Sequence, residues 1–391
     1  MIYVSKIYMP DKEKFKSYID GIYESGWLTN NGPLVQELEI KLELYLGVNN
    51  LLCLSSGTDA LQFAYRLLEE EDGKEVITTP FSFVSTTSAI VAERLRPIFA
   101  DIDPESYNIN PDNIEELINE NTCAIAPCHV FGNACEIDKI DKIAKKHDLK
   151  VIYDASHAFD VQYKNKHILN YGDISIISFH ATKMFHTIEG AAIVIKDDAL
   201  YEKAKVVRNY GIDGPDSVAM LGINSKIHEV SAAMGLCMLE EEHIIFEERK
   251  ESHEFYTDRL KQHVQLQKKN KHSSQGYSYF PVVFKNSNDM RKVRDALLEK
   301  GIAARQYFKP SLDTLPFVKC DDVMTNARDL SSRILVIPMH SGIEATVSEI
   351  IINTLSDDDR SDLDNTVFLS DNEIVAEDSK RVSESITTTA A

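Results

Sequence analysis

The sequence predicts an α/β fold: a large domain built on a mostly parallel sheet, followed by a smaller α+β domain. Three observations lead there. From about residue 34 to 200, short apolar runs alternate with amphipathic stretches, the signature of βαβ units. Those runs are continuously apolar rather than alternating, as strands covered on both faces must be. Beyond about residue 262 the texture changes to isolated strand-like and helix-like segments that end near Leu355.

Residues 34–46 place apolar side chains at helical spacing and stop at Gly47, a helix end. Leu51-Leu52-Cys53-Leu54 reads as a buried strand and residues 58–68 as the helix after it. Further strands are expected at Val76-Ile77, Pro97-Ile98-Phe99-Ala100, Ala124-Ile125-Ala126-Pro127, Val151-Ile152-Tyr153 and Ile174-Ser175-Ile176-Ile177. Helical patterns at 113–118 and 137–147 separate some of them. A long helical pattern follows (230–239, then 246–260). After it, 277–284 alternates like a strand, 290–300 looks helical and Ile334-Leu335-Val336-Ile337-Pro338 looks like a strand. The expected division is a large domain over residues 1–235, including the N-terminal segment, and a small C-terminal domain over 236–355. Residues 356–391 hold ten acidic and three basic residues with few large apolar ones. Such a stretch cannot bury enough surface to fold alone and is expected to be a disordered acidic tail.

The formal net charge of −20 over 391 residues argues against gripping nucleic acid through its phosphates, which requires basic patches. Small anions held by backbone amides remain compatible with it. No apolar run approaches the roughly 18–20 residues of a membrane span, and the segment Met1-Ile2-Tyr3-Val4-Ser5-Lys6 lacks a signal-peptide core. Six cysteines are too few for a disulfide scaffold, so a reducing, cytoplasmic setting is expected. Cys123, Cys128 and Cys135 lie near His129, yet without a C-x-x-C pair they read as buried thiols, and no metal is expected.

In parallel α/β sheets, ligands gather at the carboxyl ends of the strands. Three segments place unusual residues there. Ser55-Ser56-Gly57-Thr58-Asp59-Ala60 follows a strand and opens a helix; its free amides and hydroxyls suit a phosphate, and a simple helix cap is the alternative. Asp154, in Tyr153-Asp154-Ala155-Ser156-His157-Ala158, ends an apolar strand where a buried acid needs a partner. That partner could be a metal, a base or a protonated ring nitrogen, unless Asp154 merely caps a helix; His157, three residues on, is either pocket-lining or structural. Lys183, in Ser178-Phe179-His180-Ala181-Thr182-Lys183, sits in a loop of small and apolar residues and is a candidate for imine formation, or simply solvated. Phosphate cradle, acid and lysine at one sheet edge are together what pyridoxal 5'-phosphate chemistry requires.

With these motifs the chain resembles the sugar aminotransferases of the DegT/DnrJ/StrS family, from about Gly26 to Leu355. The resemblance runs through Leu28-Thr29-Asn30-Asn31-Gly32-Pro33, Ser56-Gly57-Thr58-Asp59-Ala60-Leu61, Phe81-Ser82-Phe83-Val84-Ser85-Thr86, Asp154-Ala155-Ser156-His157-Ala158, residues 178–190 and Gly222-Ile223-Asn224-Ser225-Lys226. It implies the aspartate-aminotransferase-like fold type I and pyridoxal 5'-phosphate as cofactor. By resemblance Lys183 is the catalytic, imine-forming lysine that later carries a proton, and Asp154 pairs with the pyridine nitrogen. Phe83 stacks on the ring, Gly57, Thr58 and Ser178 hold the phosphate, and His157 lies near the phenolic oxygen. Asn224 matches a residue that reaches a neighbouring subunit's phosphate, implying a homodimer with shared active sites. His180, His186, His340 and the segment Arg305-Gln306-Tyr307-Phe308, Tyr307 in particular, match regions near the substrate. Two features depart from the family pattern: Ala191 follows Gly190 where a second glycine is usual, and the acidic tail has no counterpart.

The loop His180-Ala181-Thr182-Lys183-Met184-Phe185-His186-Thr187 resembles those of members that aminate the C4 ketone of a dTDP-linked 4-keto-6-deoxy hexose. The implied reaction converts dTDP-4-dehydro-6-deoxy-D-glucose to the 4-amino-4,6-dideoxy sugar with L-glutamate as donor, in a ping-pong scheme. The alternatives are amination at C3, or of another nucleotide sugar. Dehydratases of the family replace the lysine by histidine, which Lys183 argues against. A non-catalytic regulator on the same fold would not need Asp154 and Lys183 together.

Overall fold

The computed structural model describes residues 1–361. Its centre is a seven-stranded sheet: β1 (Leu51–Leu54), β2 (Glu75–Thr78), β3 (Arg96–Phe99), β4 (Thr122–Ala126), β5 (Lys150–Asp154), β6 (Ile174–Ser178) and β7 (Ala191–Ile195). The spatial order is β1-β7-β6-β5-β4-β2-β3. All pairings are parallel except those of β7, which runs antiparallel to both β6 and β1. Sequence reading placed every strand except β7, the central exception to the parallel pattern.

Successive strand residues feed two separate cores, as the two-residue period requires. Leu51, Cys53, Ile77, Ile125, Val151, Tyr153, Ile177, Ala192 and Val194 face one core. Leu52, Leu54, Val76, Ala124, Ile152, Ile176, Ala191 and Ile193 face the other. Helices cover both faces, so continuous apolar runs rather than alternation marked the strands.

Helix α1 (Lys12–Ser25) is capped by Asp11, and α2 (Pro33–Leu46) begins with proline at its first turn. It ends at Gly47, which adopts φ +59° and returns its N–H to Glu43 O. Gly32, the residue before α2, has no side chain to cap it. Its role falls to Glu229, the first residue of α7 (Glu229–Leu260), whose two carboxylate oxygens accept from Leu34 N (2.9 Å) and Val35 N (3.1 Å). A Cβ on Gly32 would meet Trp27 and this carboxylate. Between these two helices in sequence come α3 (Gly57–Arg66), α4 (Val84–Ala92), α5 (Ile137–His147) and α6 (Asp198–Arg208).

The two helical patterns expected at 230–239 and 246–260 form one 32-residue helix, α7, which crosses the expected boundary at residue 235 without a break. Its C-terminal half packs into a second unit, where Tyr256 and Leu260 share a core with Phe280, Val282, Leu335 and Ile337. There β8 (Gln265–Leu266), β9 (Phe280–Val283) and β10 (Ile334–Ile337) make an antiparallel sheet flanked by α8 (Ser287–Glu299), α9 (Thr325–Arg333) and α10 (Glu344–Ser361). A third apolar cluster joins Phe81, Phe99, Cys128 and Phe131 to Tyr279, Phe308 and Val336, tying the small sheet to the large one. The N-terminus crosses over as well: Ile2–Tyr3 pairs in parallel with Ile302–Ala303.

Two expectations are corrected. Residues 113–118 do not form an α-helix; they make 3₁₀ turns at Pro111–Asn113 and Glu115–Leu117, with Ile114 alone fully buried among them. Helix α10 runs past Leu355 to Ser361, so the first residues assigned to the acidic tail continue a helix whose buried face, Val347 and Ile351, is anchored upstream. The rest of that tail lies outside the described residues.

A buried ionic contact holds α2, α6 and β1 together. Arg208 pairs with Glu39, donates to Cys53 O (3.0 Å) and reaches Asn31 Oδ1 (3.1 Å), while Glu39 also accepts from Cys53 N (2.8 Å). Burial pushes the Glu39 carboxyl up, and the Arg208 charge opposes that shift. Arg208→Met should therefore cost about 3–5 kcal/mol by stranding the acid, and adding Glu39→Gln should recover part of it. Denaturant unfolding of the single and double variants measures this; a loss below about 1 kcal/mol in Arg208→Met would contradict it.

Candidate active site

A cavity of about 520 Å³ opens at the carboxyl ends of the strands. One side of it is built from strand ends, and Tyr279, Arg305, Tyr307 and Phe308 enter from the small unit. Ser56, Gly57 and Thr58 lie at the turn from β1 into α3, Asp154 closes β5, and Ser178 closes β6. Lys183 sits in the loop that joins β6 to β7. Because Ser178 and Ala191 are paired across these antiparallel strands, that loop is a hairpin loop folded over the sheet edge. Phe83, exposed in the chain, precedes α4 on the opposite wall.

Asp154 is 4% exposed. Its Oδ2 accepts from Thr86 Oγ1 (2.8 Å), which is bonded in turn to Ser82 Oγ (2.9 Å), and its Oδ1 accepts from Ser156 N (3.0 Å). Among the described residues no cation pairs with it. A buried carboxylate that faces a cavity without a counter-charge is costly unless a cationic group arrives there. The Ser156 bond is a local turn contact of the kind a capping aspartate makes; the bond from Thr86, sixty-eight positions away, is not.

His157 is buried beside Lys183, and burial together with the lysine charge pulls its imidazole well below the ordinary range. The ring is neutral. Its Nδ1 accepts from Phe131 N (3.3 Å), which leaves the proton on Nε2. Stacking on Phe308 (5.7 Å between centroids) and edge contact with Tyr279 (5.2 Å) fix its plane. Tyr279 also meets the lysine: Lys183 Nζ lies 3.3 Å from its hydroxyl.

At the first turn of α3, the Ser56 side chain accepts from Asp59 N (3.2 Å), so the capping reading of this serine holds. Gly57 carries the other role. A Cβ there would stand 2.9 Å from both Cβ and Oγ of Ser178, so glycine keeps open a cradle bounded by first-turn amides and the Thr58 and Ser178 hydroxyls. These residues fit pyridoxal phosphate: an amide-and-hydroxyl cradle for the phosphate, a lone buried acid for the ring nitrogen, and an amine for the aldehyde.

The structure thus brings together Gly57, Thr58, Phe83, Asp154, His157, Ser178, His180, Lys183 and Tyr307 on one cavity. Sequence reading missed Ser85, Ser156, Glu189 and Tyr279. Glu189 sits 3.5 Å from His180 Nε2. Tyr279 enters from the other end of the chain beside β9, where no local pattern marks it.

Three expected residues do not line the cavity. His186 is 1% exposed, its Nε2 bonded to Tyr8 O (2.8 Å) and its Nδ1 accepting from Ile188 N (3.3 Å). Both ring nitrogens are consumed in fastening the N-terminal segment to the lysine loop, so it is structural rather than substrate-binding. His340 is half-buried near the N-terminal strand, outside the lining. Asn224 is exposed, its backbone bridged to Asn209, and it is not part of its own chain's cavity lining. Cys123, Cys128 and Cys135 are buried free thiols; Cys135 Sγ donates to Cys128 O (3.1 Å).

Residues 10–356 match the family described as DegT/DnrJ/EryC1/StrS aminotransferase. The chain is 38% identical over 363 residues to a dTDP-4-amino-4,6-dideoxy-D-glucose transaminase of Shigella dysenteriae, covering 90% of this chain and 98% of that protein. It is 33% identical over 351 residues to a protein of the same name from Escherichia coli, covering 87% and 94%. Among solved structures, DesI, crystallised in the presence of its TDP-sugar product, is 28% identical and superposes with a TM-score of 0.83 over 89% of this chain and 91% of that one. No helix among the described residues is long and apolar enough to cross a membrane.

Behind the site, His129 stacks on Tyr153 (4.6 Å) and accepts from Cys135 N (3.1 Å). Burial pulls its imidazole from 6.5 down to about 3. Between those values the unfolded chain binds a proton that the folded chain refuses. Stability is therefore whole above about pH 6.5 and falls toward pH 3, by up to about 1.4 kcal/mol per pH unit. His129→Asn keeps an acceptor without the titration and should flatten the decline of melting temperature between pH 6.5 and 4. Parallel curves for the two proteins would contradict it.

Proposed function

Because this chain belongs to the DegT/DnrJ/EryC1/StrS aminotransferase family, we propose that it aminates C4 of dTDP-4-dehydro-6-deoxy-D-glucose. L-glutamate is the donor, pyridoxal 5'-phosphate the cofactor and dTDP-4-amino-4,6-dideoxy-D-glucose the product. The observation that carries this reading is the meeting of Lys183, the unpaired acid Asp154 and the Gly57 cradle on one cavity. The names of the relatives from Shigella dysenteriae and Escherichia coli support the choice of sugar.

Pyridoxal phosphate supplies an aldehyde carbon and an electron-withdrawing ring when bound. The chain's residues divide the remaining tasks. Asp154, its oxygens held by Thr86 and Ser156, would keep a proton on the ring nitrogen. The first-turn amides of α3 with Thr58 and Ser178 would hold the phosphate, assisted by the partial positive charge of the helix end. His157 would offer its Nε2–H to the phenolic oxygen and, being neutral, adds no second cation beside Lys183. Lys183 Nζ takes the proton from the donor's α-carbon in one half-reaction and delivers one to the sugar carbon in the other. Tyr279 OH positions that amine. Phe83, on the cavity lining, would cover the ring face. Asn224, exposed on its own chain, would complete the phosphate site of a second copy, making the enzyme a homodimer in the cytoplasm.

The test is product analysis. Incubating the cofactor-loaded enzyme with L-glutamate and dTDP-4-dehydro-6-deoxy-D-glucose should give an equatorial amine at C4 by NMR. Conversion of the cofactor to its amino form by glutamate, with no sugar product, would keep the aminotransferase and discard this sugar. Lys183→Ala should remove the visible absorbance of the lysine-linked cofactor and lower turnover by about 10⁴-fold or more, while far-ultraviolet circular dichroism stays unchanged. Retained turnover in that variant would remove Lys183 from its role.

A further inference from the structure

We propose that Arg305 is the receptor for the diphosphate of the nucleotide-linked substrate, and that the cavity beside it takes the nucleoside. The proposal rests on the aminotransferase reading above.

Arg305 lines the same 520 Å³ cavity as Lys183. Its backbone N–H and C=O both pair with Val336, Arg305 N to Val336 O (3.0 Å) and Val336 N to Arg305 O (2.8 Å). The guanidinium lies over the Tyr307 ring, 4.5 Å from its centroid. Arg66, Arg208 and Arg328 each hold a carboxylate. Arg305 holds none among the described residues, although the chain carries a net charge of −20. Every other charged group on the cavity has an internal engagement: Lys183 with Tyr279, Asp154 with Thr86 and Ser156, His157 with Phe131, and Glu189 with His180. A pre-positioned guanidinium with five free donors is built for an anion, and for phosphate oxygens in particular.

Two observations select the diphosphate over the donor's carboxylate. First, Arg305 is set apart from Lys183 by two rings. Lys183 Nζ lies 5.5 Å from the Tyr279 centroid, Tyr279 lies 6.0 Å from Tyr307, and the guanidinium sits on the far ring. An α-carboxylate is bonded directly to the reacting carbon and must stay beside the lysine. A diphosphate hangs from the opposite side of the hexose ring, one sugar away. Second, Arg305 borders a further cavity of about 340 Å³, whose charged lining consists of Arg305 and Lys309 and whose remaining walls include Phe83, Val84, Leu312 and Leu315. No acid lines it. Two exposed cations lining an aromatic and aliphatic pocket match a diphosphate followed by a planar base.

The experiment measures binding of dTDP and of thymidine to the cofactor-loaded enzyme by calorimetry, alongside the two half-reactions followed by cofactor absorbance. Arg305→Gln should weaken dTDP by about 10- to 100-fold, the loss of charge-assisted hydrogen bonds. It should raise the KM for the nucleotide sugar in parallel, and change thymidine binding and the glutamate half-reaction far less. Arg305→Lys should recover part of the dTDP affinity. Unchanged dTDP affinity in Arg305→Gln overturns the proposal. So does a defect confined to the glutamate half-reaction, which would place the donor's carboxylate on Arg305. Arg305-dependent dTDP binding by an enzyme that aminates no dTDP-sugar would sustain this receptor while removing the proposed reaction.

Discussion

A single uncompensated charge organises the site. Asp154 ends a strand in which Val151, Ile152 and Tyr153 are buried, and it keeps its carboxylate in the protein by accepting from Thr86 and from the Ser156 amide. Neither donor carries a full charge. Asp154 is therefore a buried acid on the cavity lining with no cationic partner among the described residues. Around it stand a neutral His157, held so by burial and by Lys183, and an amine placed against a tyrosine hydroxyl instead of an acid.

The one antiparallel exception in the sheet explains how the lysine comes to face this acid. Because β7 returns directly beside β6, residues 179–190 become a hairpin loop rather than a crossover to another layer. A crossover helix would have carried Lys183 onto a face of the sheet; the hairpin keeps it at the edge where Asp154 and Ser178 end. His186 secures that loop to the N-terminal segment through Tyr8. It is a residue of the right type, in the right motif, used for architecture rather than chemistry.

The small unit contributes what the sheet edge lacks. Tyr279, Arg305, Tyr307 and Phe308 all enter the cavity from segments far beyond the lysine loop in sequence, Tyr279 lying 96 residues after Lys183. They are held against the large sheet by the cluster of Phe81, Phe131 and Phe308. Helix α7 runs unbroken between the units and caps α2 through Glu229, so the two walls of the site share a rigid support.

The order of strands and helices was legible in the sequence because burial on both faces of a parallel sheet writes itself as short apolar runs. So were Gly57, Asp154 and Lys183, since a strand end is a local event and an acid or lysine there stands out from its neighbours. The sequence by itself therefore determined the fold class, the sheet edge and the chemistry the edge can support. Only tertiary structure decided which of the candidate histidines face the cavity. A histidine's role depends on what occupies its two nitrogens, and for His186 and His157 those partners come from residues 8 and 131. It also decided that Tyr279 meets Lys183 and that Arg305 has no carboxylate of its own. Those facts are contacts between segments distant along the chain, and no local pattern of residues encodes them.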